Sequence, residues 1–183
     1  MATKLHSAEV VGLEGKIIDV EIDLSRGLFS FAIVGLADKA IAESKERVSA
    51  AIKSLGAKPP NQKNQRVTVS LAPADLKKEG PAFDLPIALA YLLASKQANF
   101  ETKNKIFLGE LALDGALRPI KGSLALAEAA KKKEFSEIFL PTGNGAEASL
   151  IDGVKVFEAA SLEEVINHLE NKVLIKECPK TKI

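Results

Sequence analysis

Leu71-Ala72-Pro73-Ala74-Asp75-Leu76-Lys77-Lys78-Glu79-Gly80-Pro81-Ala82-Phe83-Asp84-Leu85-Pro86-Ile87-Ala88 is the stretch on which the reading of the chain turns. It opens on the end of an apolar strand, Val67 to Leu71, crosses a polar turn, and becomes apolar on every side from Leu85 to Ala94. Pro86 fits a helix only in its first turn, where a missing N–H costs no intrahelical bond. The pattern predicts a helix that starts near Leu85 and is buried all round. Its first amides point outward and suit an anion such as a phosphate, but Asp84 stands in capping position and is expected to occupy them. Asp75 and Glu79, with Asp84, are expected to serve turns and caps, because acid–base work by paired carboxylates needs a pocket that the sequence does not indicate.

Upstream, Ile18, Val20, Ile22 and Leu24 alternate with Asp19, Glu21 and Asp23, the period of a strand with one wet face. Phe29 to Val34 reads as its neighbour, with Ser25-Arg26-Gly27 as the turn of a hairpin. From Ala40 the apolar spacing becomes helical, with Ile41, Val48, Ala51, Ile52 and Leu55 on one side and Gly56 as the stop. The polar run from Lys58 to Gln65 is expected to be a mobile loop before the Val67 strand. Downstream, Ile106 to Leu113 and Ala116 to Ile120 suggest a second hairpin around Asp114-Gly115, with Glu110 facing Arg118. A helix over Ser123 to Lys133 follows. Then come a strand over Glu137 to Leu140, a short helix near Ala146 to Leu150, a strand over Val154 to Phe157, and a helix from Leu162 to Leu169 capped by Ser161. Val173 to Ile183 reads as a linker. Hairpins mixed with crossovers make the fold class α/β, equally α+β, with a mixed sheet and flanking helices.

With 183 residues, 46% of them apolar and 27% charged, one globular domain is expected, and disordered or fibrous classes are set aside. Lys and Arg number 25 against 24 Asp and Glu, so no global field draws the chain to nucleic acid or anionic lipid. Any nucleic-acid contact must be local, and the candidates are Lys53, Lys58, Lys63 and Arg66. Lys131, Lys132 and Lys133 read as a solvated face. No run approaches the ~20 apolar residues of a membrane span, and Met1 to Val11 lacks the form of a secretory signal, so a cytoplasmic address is expected. The single cysteine, Cys178, forms no disulfide within the chain, and with only His6 and His168 beside it zinc is not expected.

The Leu71 to Ala88 segment resembles the hallmark of the ComM/YifB family of Mg-chelatase-like AAA+ ATPases. Ile33-Val34-Gly35-Leu36 with the helix ending Glu46-Arg47-Val48 supports the likeness. So does Phe107-Leu108-Gly109-Glu110-Leu111-Ala112-Leu113-Asp114-Gly115 leading to Pro119-Ile120-Lys121-Gly122. The similarity runs from about Val10 to Leu169; Lys77 departs from it, standing where the family carries a proline, and this touches only the local turn. The resemblance implies that residues 1–172 form a Lon-protease-like domain of the ribosomal-protein-S5-domain-2 type, with 173–183 a linker toward an AAA+ module that this chain lacks. It implies ATP and Mg2+ for that module, a homo-oligomer, a hexamer, for the full-length protein, and service in DNA recombination, branch migration and natural transformation.

Lon-type peptidases keep a nucleophilic serine in a Gly-Pro-Ser turn and a lysine base in the helix after a Pro-Ile-Gly-Gly turn. By that likeness the serine position is Ala82, in Gly80-Pro81-Ala82, and the lysine position is Leu126, counted from Pro119-Ile120-Lys121-Gly122. A methyl and an isobutyl group supply neither nucleophile nor base, so peptidase chemistry is not expected of this chain. Lys121 and Ser123 are two residues apart and do not face each other as a substitute pair. A phosphate loop is lacking too, since Lys121-Gly122-Ser123 reverses the needed order. The expected role is that of an accessory domain serving ring assembly or DNA engagement. The alternatives are a subunit-contact domain of a magnesium chelatase and, further off, a serine peptidase.

Overall fold

The computed structural model describes residues 3–182. The strands are β1 (Thr3–Val11), β2 (Glu14–Arg26), β3 (Ser30–Val34), β4 (Gln65–Ala72), β5 (Lys105–Phe107), β6 (Glu110–Leu111), β7 (Leu117–Arg118), β8 (Glu137–Pro141) and β9 (Lys155–Ala159). The helices are α1 (Lys39–Ala42), α2 (Ser44–Ser54), α3 (Asp84–Ala94), α4 (Ser123–Lys132), α5 (Gly145–Ala148) and α6 (Leu162–Leu169). Seven strands form one mixed sheet in the order β3-β4-β2-β1-β5-β8-β9, and β6 and β7 make a separate small hairpin. The α/β class with a mixed sheet is thus as expected.

α3 is the central helix. Every residue from Asp84 to Leu92 is buried, and removing each large apolar side chain from water contributes roughly 1.5–3 kcal/mol. It packs on the face of β1 and β2 that presents Leu5, Ile18, Val20 and Ile22, together with α2. The opposite face presents Ala8, Val10 and Ile17 to α4, with α5 behind it. Two cores therefore share one sheet, and the alternation of β2 sorts its side chains between them.

Three sequence expectations change. β2 and β3 are not hairpin partners: β4 lies between them, antiparallel to β2 and parallel to β3. Local spacing gives the two strands but not the order of insertion, because β4 arrives from about forty residues downstream. The expected hairpin from Ile106 is only β6 and β7, while β5 enters the main sheet between β1 and β8. The polar run from Lys58 is anchored: Pro59 and Pro60 are buried, residues Pro60–Gln62 form a 3-10 turn, and Gln65 begins β4 with its amide nitrogen 2.7 Å from the Tyr91 hydroxyl. β1 carries no plain strand signal in the sequence, because His6, Ser7 and Glu9 break a simple alternation in a strand covered on both sides.

The remaining helices fall where the pattern puts them, and Ser161 caps α6 by accepting from the Glu164 N–H. The stretch after α6 is laid back on the domain. Cys178 N–H donates to Val156 on β9 at 2.8 Å, and the Lys180 ammonium donates to the carbonyls of Ile151 and Val154.

Candidate functional site

The turn before α3 is built on backbone that glycine permits: Gly80 has φ +82°, and Pro81–Phe83 follow as a 3-10 turn. Gly80 N–H donates to Asp38 Oδ2 at 2.9 Å, while Asp38 Oδ1 caps α1 by accepting from Ile41 N–H. On the other side Gly109 N–H donates to the Ala82 carbonyl at 2.8 Å, and Leu85 N–H donates to the Gly109 carbonyl at 3.0 Å. The turn is thus clamped between the α1 cap and the strand end after β5.

Below it opens a cavity of about 470 Å³. Ala82 from the turn and Leu126 from α4 both line it, so the fold brings these two sequence-selected positions to one place. Ala8, Val10, Leu108 and Ile120 complete an apolar wall, and Glu9, Glu79, Glu110 and Lys121 reach it as well. Ser123, next in chain to the cavity's Gly122, is fully buried with its hydroxyl unpartnered, and it is not among the lining residues. Glu9 Oε2 accepts the Glu79 N–H at 3.0 Å. Burial pushes the Glu9 carboxyl above the usual carboxylate range, and the nearby charges of Glu79 and Asp38 push the same way.

Two buried charges hold this site from outside the cavity. Asp84 is the first residue of α3, not its cap: Phe83 holds the capping position and Asp84 points away into the core. Its Oδ1 accepts from the Ser44 hydroxyl at 2.5 Å and from Arg47 Nη2 at 3.1 Å; its Oδ2 accepts from Arg47 Nε at 2.6 Å and from Leu111 N–H at 3.0 Å. Burial pushes the Asp84 carboxyl up, but both oxygens face donors, which is the environment of an ionised carboxylate. The Asp84 bond in turn pushes the Arg47 pKa up. This pin ties α2, α3 and β6 together. The sequence offered Arg47 and Asp84 as motif residues and no sign that they meet.

The second charge is Lys78, fully buried, with its ammonium donating to the carbonyls of Gly35 at 2.8 Å and of Pro73. Its backbone pairs with the chain after β3: Lys78 N–H donates to Leu36 and Asp38 N–H donates to Lys78. Desolvation pushes the Lys78 pKa down. Nothing in the sequence separates Lys78, which is buried, from Lys77, which is exposed and 3.4 Å from Glu79. Asp75 lies in the exposed part of the same turn.

The four basic candidates are not gathered. Lys53 lies in the last turn of α2 and lines a depression with Asn61 and Gln62, which stand between Lys58 and Lys63 in the chain. Arg66 stands on β4 out of phase with the core residues Val67 and Val69, opposite Ser25 of β2 and on the sheet face that also carries Asp23. Glu110 and Arg118 do pair across β6 and β7, at 3.7 Å. His6 Nδ1 lies 2.9 Å from Asp19, His168 packs on Phe139 and Phe157, and Cys178 sits by β9, so these three are apart. Among the described residues no group of three or more His, Cys, Asp or Glu is placed to hold a metal ion, and no helix is long and apolar enough to cross a membrane.

A mixed α/β sheet domain with a clamped glycine turn over an apolar cavity is the class these features define. The family model described as subunit ChlI of Mg-chelatase matches residues 20–144, from within β2 to just past β8, and the chain belongs to that family. It is 37% identical over 169 residues to competence protein ComM of Haemophilus influenzae, covering 92% of this chain and 32% of ComM. It is 39% identical over 172 residues to YifB of Escherichia coli, covering 92% of this chain and 33% of YifB. A weaker match, 32% identical over 108 residues, is DNA repair protein RadA of Aquifex aeolicus, covering 58% of this chain and 23% of RadA. The chain spans about a third of the length of ComM and YifB.

Proposed function

We propose that this chain acts as a non-catalytic accessory domain of a ComM-type, Mg-chelatase-like AAA+ ATPase, serving assembly of the ring or its engagement with DNA during recombination and natural transformation. ATP and Mg2+ belong, in this reading, to an AAA+ module outside residues 1–172, and the domain has the Lon-peptidase scaffold without its chemistry. One observation carries the reading: Ala82 and Leu126 meet over the cavity, and two hydrocarbon side chains neither attack a carbonyl nor accept a proton. ComM and RadA bear names that refer to competence and to DNA repair, which is the reason for choosing DNA work over other duties of a ring ATPase.

Direct DNA contact, in this proposal, falls to Lys53, Lys58 and Lys63, since the phase of β4 puts Arg66 on the other face of the sheet from α2. Three phosphate contacts give a salt slope of about −2.7 in log K against log salt. The test is a titration of a labelled duplex at low and at moderate ionic strength. Binding that weakens with salt at about that slope, and is lost when the three lysines are reversed to glutamate, supports contact. Absence of binding at low ionic strength, or indifference to the reversal, leaves assembly as the role. The description of the family as subunit ChlI of Mg-chelatase favours a second reading, a subunit contact in a magnesium chelatase. A porphyrin bound to the isolated chain would move the balance to it.

A further inference from the structure

One wall of the cavity is a strand edge. β1 pairs with β2 along its whole length, but on its other side β5 meets it only at His6. Past that point, Glu9 and Val10 line the cavity, and among the described residues no backbone hydrogen bond reaches the side of β1 that faces away from β2. An unpaired edge is a template for a further extended chain. Ala8 and Val10 turn to one face of β1 and Glu9 to the other, so a strand laid along this edge meets an apolar hollow on one side and a carboxylate on the other. At about 470 Å³ the cavity lies in the range of ligand pockets and accepts a leucine-sized side chain with its flanking backbone.

Charge selects among extended chains. Glu9 is half-buried next to Glu79 and Asp38, and it makes no ion pair among the described residues. Of the cations around it, Lys78 spends its ammonium on the carbonyls of Gly35 and Pro73, Lys77 pairs with Glu79, and Lys121 reaches the cavity without an ion pair to Glu9. A basic side chain arriving from outside relieves the mutual repulsion of these carboxylates. The geometry points to a recognition site for an extended peptide segment of a protein partner, added as a strand along the outer edge of β1, with an apolar side chain over Ala82 and Leu126 and a lysine or arginine against Glu9. None of Lys53, Lys58 and Lys63 lines this cavity, so the site is independent of DNA contact.

The probe is a fluorescein-labelled peptide, Gly-Gly-Lys-Leu-Lys-Gly-Gly, titrated with the chain and followed by anisotropy. Saturable binding is expected, weakened at least tenfold when the peptide leucine is replaced by aspartate or its lysines by glutamates. Glu9→Lys should weaken the basic peptide at least tenfold and strengthen the acidic one. Ala82→Trp, which fills the cavity, should remove binding of both; should that variant misfold by circular dichroism, the charge swap at Glu9 decides alone. Amide shifts in the free and peptide-bound chain should concentrate at Ala8 to Val11. No saturable binding up to millimolar chain, binding indifferent to the Glu9 swap, or shifts centred elsewhere overturns the proposal.

Discussion

Ala82 and Asp84 are two residues apart and sit in opposite chemical worlds. Ala82 shows a methyl group to the apolar wall of a cavity, whereas Asp84 carries a fully buried carboxylate with four donors on its two oxygens. A charge at Asp84 fixes the architecture of the turn, and two residues earlier, where the turn opens onto the cavity, the side chain carries none. A buried ion pair is weak evidence of stability in itself, since desolvation cancels much of its attraction, but breaking it strands one charge. The pin therefore acts as a device of position: it sets α3 against α2 and β6, and so sets where Ala82 lies.

The sharpest way to break the contrast is to remove its charged side. Asp84→Ala leaves the Arg47 guanidinium and the Leu111 N–H without their acceptor and should cost about 3–5 kcal/mol in urea unfolding. Arg47→Met should cost a similar amount, and the double variant should lose clearly less than the sum. Additive losses would mean that the two side chains do not act as one unit. Next comes Lys78→Met, which removes a desolvated charge but orphans the carbonyls of Gly35 and Pro73. A loss of about 1–3 kcal/mol is expected, together with faster hydrogen exchange at Asp38 and Lys78, whose amides belong to the same paired strap.

On the cavity side the effects should be small. Ala82→Ser adds one hydroxyl at a partly open position and should change stability by no more than about 0.5 kcal/mol. It should also leave the chain inert to a serine-reactive probe, because Leu126 supplies no base; labelling of that variant would mean that a base stands elsewhere in the cavity. The smallest effect expected is a pH dependence at the far edge of the sheet. Packing on Phe139 and Phe157, with Lys105 nearby, pushes the His168 pKa below its ordinary value, against a weaker pull from Glu137, and its Nδ1 accepts the Ile175 N–H at 2.9 Å. The unfolded chain then takes up the proton first. The stability this group contributes is present above about pH 6.5 and is lost as pH falls from there toward the depressed folded value. Protection of the Ile175 amide, with exchange corrected for its intrinsic pH dependence, should fall over the same window, and His168→Phe should remove the pH step.

Much of this was legible in the sequence, and for stated reasons. α3 announced itself by an unbroken apolar run with Pro86 in its first turn, and α6 by Ser161 and its helical spacing. Ala82 and Leu126 were found by likeness and proved to share a cavity, although they come from different elements and stand far apart in the chain. What the sequence hid was non-local. The insertion of β4 between β2 and β3, the burial of Lys78 beside an exposed Lys77, and the meeting of Arg47 with Asp84 all depend on chain segments that arrive from elsewhere. Asp84 reads as a cap because capping is the local role of an aspartate at a helix start; in the fold the distant Arg47 takes its carboxylate instead of the nearby amides. Lys53, Lys58, Lys63 and Arg66 look like one basic group in sequence, yet the phase of β4 turns Arg66 onto the other face of the sheet.

With hydrocarbon at Ala82 and Leu126, the chain should come through treatment with a fluorophosphonate probe unmodified, as read by mass spectrometry of its peptides. An adduct on Ser123, the buried serine beside the cavity's Gly122, would contradict that expectation.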